Sequence, residues 1–501
     1  MPTVLSAVRA NILLVPLGTV VAAVASVLVA RMLRPETFAD YATLMALVAW
    51  LLLLAEGGCN VGLGRFLNEA QSTSARGTLY RTLQHRRWVI ALLLASSLIW
   101  LGPIWARAIG LSEARWQSIT FVLVGLLAAV MLHGQLASSA LLATFRHGRV
   151  QLTSQSMTIA RALTLATLAG TLREPAALVA ALLVLAAVEA WILHWLTTAH
   201  VGRERNALPR GMANAAQKHG LVALFDKLTT ALSAGPFLLL VLAGTHGRSE
   251  LAMLAIATDL LQKALSVIGL PLSNIVIPAL NDSRNDIERF RLQVSRLGGS
   301  MVVLFAIAVG GIAVALPAGL PMLLGASYEP AVTIAMIWLL PLFLEAGVRM
   351  IWGAALVVLD QYRWLMNFNL AYGATSLLVV FVARDAELNT LLLCLGLLRL
   401  CMSMVLLYRA MQLDLLPPES RPSRVMVVAA GSCMFSLIAQ AFIDFYSLPV
   451  FTLVTGIGIY VMLILASLQW LYLIPRPSYD ALYQIAGKHK ALLMRIIPPQ
   501  P

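Results

Sequence analysis

Two stretches near the start of the chain organise the rest of the sequence: RMLRPETFADY at residues 31–41 and AEGGCNVGLGRFLNE at residues 55–69. The first separates two apolar runs. The second places a carboxylate, Glu56, halfway along the second run and follows it with several glycines. A carboxylate at the centre of a bilayer costs several kcal/mol unless it faces a partner or a wet cavity. The two stretches therefore predict functional polar groups inside a membrane.

The overall composition indicates a membrane protein before any motif is considered. Of the 501 residues, 60% are apolar and only 12% are charged, and the mean hydropathy is +0.84. A soluble protein of this length needs more polar surface. A transmembrane barrel would show alternating strands of about ten residues, and the sequence has no such pattern. We therefore predict an all-α polytopic membrane protein.

The apolar stretches give the expected number of spans. A helix needs about 20 residues to cross roughly 30 Å of hydrocarbon. Fourteen stretches meet this requirement, at residues 11–31, 41–65, 88–109, 117–143, 153–172, 176–198, 220–244, 249–280, 297–323, 331–359, 361–384, 386–412, 424–446 and 450–474.

The distribution of basic residues sets the expected orientation. Most of the 36 Lys and Arg residues fall at the N-terminus, in the even-numbered connections and in the C-terminal tail. By the positive-inside rule, this pattern predicts that both termini are cytoplasmic. The net charge of +13 then reflects topology and attraction to the inner leaflet, and it does not indicate nucleic-acid binding.

The opening hairpin resembles that of a known family. Residues 31–41, followed by a helix that ends in Arg65-Phe66, resemble the R-x-L-x-P-E-x-F-x-x-Y opening of bacterial polysaccharide flippases. A second likeness covers LGASYEPA at 324–331 and the span that ends before Arg363. These flippases of O-antigen, capsule and exopolysaccharide units belong to the MATE-related multidrug/oligosaccharidyl-lipid/polysaccharide exporter superfamily. The resemblance does not identify the sugar.

The resemblance implies an organisation of two six-helix lobes around a central cavity. On this sequence the lobes would cover residues 1–199 and 220–412, joined by a cytoplasmic loop at 200–219. Two additional transmembrane helices in 413–474 and a cytoplasmic basic tail at 475–501 would follow.

The same resemblance implies a transporter of the bacterial inner membrane, not an enzyme. It would move undecaprenyl-diphosphate-linked oligosaccharide repeat units by alternating access. The implied partners are the lipid-linked oligosaccharide, membrane lipids, and polysaccharide polymerase and export machinery. A lipid II flippase and an ion-coupled multidrug exporter of the same superfamily are the alternative functions.

Charged residues inside the predicted spans are the candidate functional groups, because they are rare and costly in a bilayer. Asp259 with Lys263, and Glu345 with Arg349, are four residues apart, so each pair can form an ion pair on one helix face. The other such residues are Arg161, Lys227, Arg399, Glu56, Glu189 and Asp226. Each of them either pairs with a neighbouring helix or faces a polar path.

A diphosphate headgroup is attracted by cations presented in a cavity of low dielectric constant. The candidate substrate-binding residues are therefore basic: Arg65, Lys227, Lys263, Arg161 and Arg399. We expect Arg65 at the cytoplasmic mouth and Lys263 near mid-depth. For Arg161 and Arg399 an ordinary inter-helix pair is the competing interpretation.

The candidate coupling-ion residues are the carboxylates Glu56, Asp226 and Asp259. Glycines beside Glu56 weaken the helix and free carbonyls that can coordinate an ion, but Gly58 and Gly62 also have the small-xxx-small spacing of close packing. The sequence has no P-loop motif, and its four cysteines lack metal-ligand spacing. We therefore expect no cofactor, no metal and no catalytic residues, and transport driven by a sodium or proton gradient.

Overall fold

The computed structural model describes residues 4–70, 72–100, 104, 118–144, 146–201, 211–232 and 234–415. Within these ranges all the regular secondary structure is helical. Eight of the described helices are long and apolar enough to cross a membrane. The chain is therefore an all-α polytopic membrane protein, as the composition predicted.

The expected count of fourteen spans stays a prediction. The spans at 424–446 and 450–474, the tail at 475–501 and residues 202–210 of the loop at 200–219 lie outside the described residues. The end of the span at 88–109 also lies outside them.

The described part of the chain divides into two compact units. One contains the described residues up to Pro271 and the segment Arg363–Leu391; the other contains Leu272–Tyr362 and the described chain from Leu392 onward. This division differs from the expected lobes at 1–199 and 220–412, which stay a prediction.

The first unit is a bundle of helices. Its helices are α1 Val4–Met32, α2 Pro35–Glu56, α3 Cys59–Glu69, α4 Thr73–Trp100, α5 Ser118–Ala143, α6 His147–Thr171, α7 Pro175–Val201, α8 Met212–Ala231, α9 Gly235–Leu242, α10 Arg248–Asp282, which continues into the second unit, and α14 Tyr362–Ala383. Helix α5 packs on α7, α4, α3 and α2, and α1 packs on α6. Leu, Val and Ala side chains fill the contact between α2, α5 and α7.

The second predicted span is not one helix. Helix α2 ends at Glu56 because Gly57 and Gly58 both adopt the left-handed conformation, with φ of +53° and +75°. Glycine tolerates this conformation at little cost because it has no Cβ. The chain then resumes as α3, so the broken backbone lies directly after the buried Glu56 carboxylate.

Helix α3 lies against α8 at unusually short range. A Cβ added at Gly58 would overlap the backbone at Gly220, and one added at Gly62 would overlap the backbone of Ala216. Two small-xxx-small pairs therefore face each other, one on each helix. Apolar side chains do not by themselves drive helices together in lipid, so close backbone approach of this kind contributes much of the packing energy.

The second unit is built on two long helices with internal prolines. It contains α11 Ile287–Leu324, the 3₁₀ turn Ala326–Tyr328, α12 Pro330–Val348, the π-helical turn Arg349–Gly353, α13 Ala354–Val358 and α15 Leu388–Gln412, whose first residues belong to the first unit. Phe305 of α11 meets Phe343 of α12 edge-on at 5.9 Å between ring centroids. An added Cβ at Gly298 would overlap the buried Trp352.

Candidate functional site

Glu56 and Lys227 form the central ion pair of the first unit. The Lys227 ammonium on α8 donates to both carboxylate oxygens of Glu56 on α2, at 2.9 and 3.0 Å. Glu56 is buried, whereas the Lys227 side chain is 44% exposed. The carboxylate is thus held by one cation that still has access to its surroundings. Such a lysine can also meet a second anion.

Lys263 joins two helices of the same unit. Its ammonium pairs with Asp259 one helical turn earlier on α10, and it also donates to the Ser26 hydroxyl of α1 at 2.5 Å. The i,i+4 pair therefore forms as its spacing predicts. Lys263 is mostly buried, whereas Asp259 is 41% exposed. The carboxylate is the more accessible partner.

Arg65 lies at the end of α3 in an exposed polar group. It pairs with Glu69 at 3.5 Å and reaches the Nδ1 atom of His219 on α8, also at 3.5 Å. Partial burial and the neighbouring Arg65 guanidinium both lower the pKa of His219, while Glu69 acts in the opposite direction. A neutral imidazole can accept from Arg65. These contacts are weak in water, so Arg65 is available to an incoming anion.

Arg161 of α6 pairs with Glu189 of α7. Both side chains are largely buried. This contact is the inter-helix alternative that the sequence left open. A substrate role for Arg161 stays a prediction.

In the second unit, Glu345 is shared by two arginines. Arg349 donates to it at 3.1 Å from one helical turn along, and Arg399 of α15 donates at 2.9 Å. Arg399 is 3% exposed and also lies over the Trp338 ring, 4.5 Å from its centroid. The sequence predicted Arg349 as the partner of Glu345 and did not indicate Arg399. The pairing favours a structural role for Arg399, whose proposed substrate role stays a prediction.

Two buried charged residues were not among the candidates predicted from the sequence, because both fall in the predicted connections between spans. Asp40, on the first turns of α2, pairs with Arg248 at the start of α10. Arg87 of α4 is 2% exposed and donates to the Asn60 side chain of α3 at 2.8 Å. The acid in the FADY segment was a usable signal for the first pair. Nothing local distinguishes Arg87 from Arg86 beside it.

The structure gives no position for one candidate side chain and no metal site among the described residues. The Asp226 side chain lies outside the described ones. Among the described residues, no group of three His, Cys, Asp or Glu side chains could hold a metal ion. Cys59, Cys394 and Cys401 are free thiols.

The bundle of apolar helices with paired charges in its interior defines a polytopic membrane protein with a polar interior. Residues 8–284 match the family described as "Polysaccharide biosynthesis protein". The matched residues make up more than half of the chain. The chain belongs to this family. No curated protein matches it.

The overall fold is similar to that of a solved transporter. The structure titled "Lipid II flippase MurJ, inward closed conformation" superposes with a TM-score of 0.71 at 12% sequence identity. The match covers 92% of this chain and 98% of that one. At this identity the likeness establishes the fold alone.

Proposed function

We propose that this protein translocates undecaprenyl-diphosphate-linked oligosaccharide repeat units from the cytoplasmic to the periplasmic leaflet, for exopolysaccharide, capsule or O-antigen synthesis. Membership of the polysaccharide biosynthesis family is the observation that carries this proposal. A bilayer rejects a sugar headgroup, so a polar path through a helical bundle lowers the barrier while the polyprenyl tail stays in lipid. No covalent step is needed, and the protein acts as a transporter.

The charges of the first unit support recognition of an acidic headgroup. Lys227 and Lys263 each already hold a carboxylate, and each ammonium can exchange a carboxylate oxygen for a phosphate oxygen. Charge-assisted hydrogen bonds of this kind are about twice as strong as neutral ones. Arg65, exposed at the end of α3, would make the first contact with the diphosphate.

We assign the energy source to an ion gradient, sodium or proton, with Glu56, Asp226 and Asp259 as candidate ion-binding carboxylates. Asp259 is the most exposed acid of the two described pairs. An orientation with both termini in the cytoplasm belongs to the same proposal.

Deletion of the chain tests the proposal directly. We expect accumulation of cytoplasm-facing lipid-linked repeat units and loss of exported polymer, both restored by the wild-type chain supplied in trans. The matched control is deletion of a glycosyltransferase of the same pathway, which should remove the lipid-linked unit altogether. Polymer export at an unchanged rate, in a strain without another flippase, would contradict the proposal.

A lipid II flippase is the second candidate, favoured by the likeness to the lipid II flippase structure. Both substrates have a diphosphate lipid, so the charges alone do not separate them. Complementation does: a lipid II flippase should restore growth after depletion of the resident lipid II flippase. A polysaccharide flippase should not.

A further inference from the structure

The polar interior of α3, α4 and α5 contains a buried guanidinium that its neighbours satisfy only in part. The Nη1 atom of Arg87 donates to Asn60 at 2.8 Å. Its Nε and Nη2 atoms are buried and have no hydrogen-bond partner among the described residues. Leaving charged donors unsatisfied in a dry interior costs more than the hydrogen bonds themselves are worth. Some acceptor is therefore expected beside these two atoms.

A cavity lies against the same side chain. It is lined by Arg87, Gln84, Trp88, His133 and the apolar residues Ala129, Leu132 and Leu136. Its volume is about 10 Å³, which limits an occupant to about the size of one water molecule. No carboxylate is among the residues that line it.

His133, which lines the cavity, has one ring N–H donor. The Gln84 amide nitrogen donates to its Nδ1 atom at 2.8 Å, which leaves the ring proton on Nε2. The His194 ring lies 4.9 Å from the His133 ring, and the Tyr80 hydroxyl is 3.4 Å from His194 Nδ1. The polar side chains that line the cavity therefore include the N–H donors of Arg87, Gln84 and His133, and none of them is a carboxylate.

The balance of charge distinguishes an anion from a water molecule. Glu56 is the one carboxylate among the groups that act electrostatically on Arg87, and both of its oxygens are engaged by Lys227. Arg87, Lys227 and Glu56 together have a net charge of +1 when all three are ionised. A water molecule would satisfy the donors but leave this charge uncompensated in a medium of low dielectric constant.

We propose that Arg87, His133 and Gln84 form a buried site for a single halide-sized anion, chloride under physiological conditions. The site lies inside the first unit, and it is separate from Lys263 and from the exposed Arg65. It neutralises the interior of the α3–α4–α5 packing and stabilises the folded unit. The anion site would be the same whichever lipid-linked substrate the protein moves.

Thermal unfolding of the purified full-length protein tests the site. Chloride is replaced stepwise by gluconate, which is too large for the cavity, at constant ionic strength. We expect chloride and bromide to raise the unfolding midpoint saturably by about 2 °C or more, because a ligand that binds only the folded state stabilises it. Equal midpoints in chloride and gluconate would mean a bound water only and would overturn the proposal.

Two arginine variants separate the site from a general salt effect. Arg87→Gln should lose the chloride-dependent rise. Arg86→Gln is the matched control, because the Arg86 guanidinium instead donates to Gln217 and Asn214, at 2.7 Å each, and does not line the cavity; it should keep the rise. Persistence of the full rise in a folded Arg87→Gln variant would overturn the assignment.

A second measurement remains decisive if Arg87→Gln fails to fold. Bromide quenches tryptophan fluorescence on contact, and Trp88 lines the cavity. The wild-type protein should show a saturable component of quenching that chloride reverses, and Trp88→Phe should lack that component. Quenching that is linear in bromide, or identical in the two proteins, would contradict the site.

Discussion

At the scale of single residues, spacing in the sequence predicts the ion pairs within one helix but not the ion pairs between helices. Asp259–Lys263 and Glu345–Arg349 form because four residues of helix bring two side chains together whatever the tertiary fold. The partner of Lys227 is 171 residues away in the chain. Local spacing contains no information about such a contact.

Lys263 is the residue whose replacement tests substrate binding most sharply. If it binds the diphosphate, Lys263→Gln should abolish polymer export while the protein stays folded at normal abundance, and Lys263→Arg should retain part of the activity. Arg349→Gln removes the basic member of a pair with the same spacing and serves as the matched control. Export is measured per molecule of membrane-inserted protein. Near wild-type export in a folded Lys263→Gln, Lys227→Gln double variant would remove both lysines from the substrate path.

The Glu56–Lys227 pair should respond asymmetrically to substitution. Lys227→Met leaves a buried carboxylate without its hydrogen-bonded cation and should destabilise the protein by about 2 kcal/mol or more. Glu56→Gln leaves a lysine that is half exposed, so its cost should be smaller. The double variant should recover part of the loss. Unfolding midpoints of the three variants measure this, and equal losses from both single changes would contradict the predicted asymmetry.

At the scale of helices, the double glycine after Glu56 has two consequences. It ends α2, and it lets α3 approach α8 through Gly58, Gly62, Ala216 and Gly220. The small-xxx-small pattern on α3 was visible in the sequence, and the packing it predicted is present. The complementary pattern on α8 was not recognised, because its partner helix could not be known from the sequence. An ion at the broken backbone stays a prediction.

Alanine substitutions within α3 distinguish close packing from helix propensity. Gly62→Ala should be strongly destabilising, because the added methyl overlaps the backbone of Ala216 on α8. Gly64→Ala is the matched control on the same helix: nothing lies within 4 Å of an added Cβ, and alanine favours a helix by about 1 kcal/mol over glycine. Folded yield and unfolding midpoint report the difference. Similar behaviour of the two variants would contradict the close approach.

At the scale of the whole molecule, the sequence predicted the protein class and the structure and family match confirm it. Eight of the described helices are apolar enough to cross a membrane, and several charged side chains inside each unit form ion pairs. The division into compact units does not follow the longest polar connection at residues 200–219. Chain order and spatial grouping differ here because a late segment, Arg363–Leu391, groups with the N-terminal helices.

The predicted orientation is tested by reporter fusions. A reporter after His200 and another after Arg476 should both lie in the cytoplasm, because the even connections hold most of the basic residues. A fusion after Arg384, in an odd connection, is the control and should be periplasmic. An external signal at His200 or Arg476 would overturn the alternation of spans and the placement of Arg65 at the cytoplasmic mouth.

The sequence by itself determined the membrane class, the helical secondary structure, several of the interior charges and the ion pairs within single helices. These follow from composition and from the periodicity of one helix, both of which are local properties. Only the tertiary structure decided which helices exchange charges, that Arg87 is buried while Arg86 is not, and where α3 meets α8. The physical reason is that a buried charge or a glycine contact is defined by atoms far apart in the chain. Their proximity results from packing of the whole bundle.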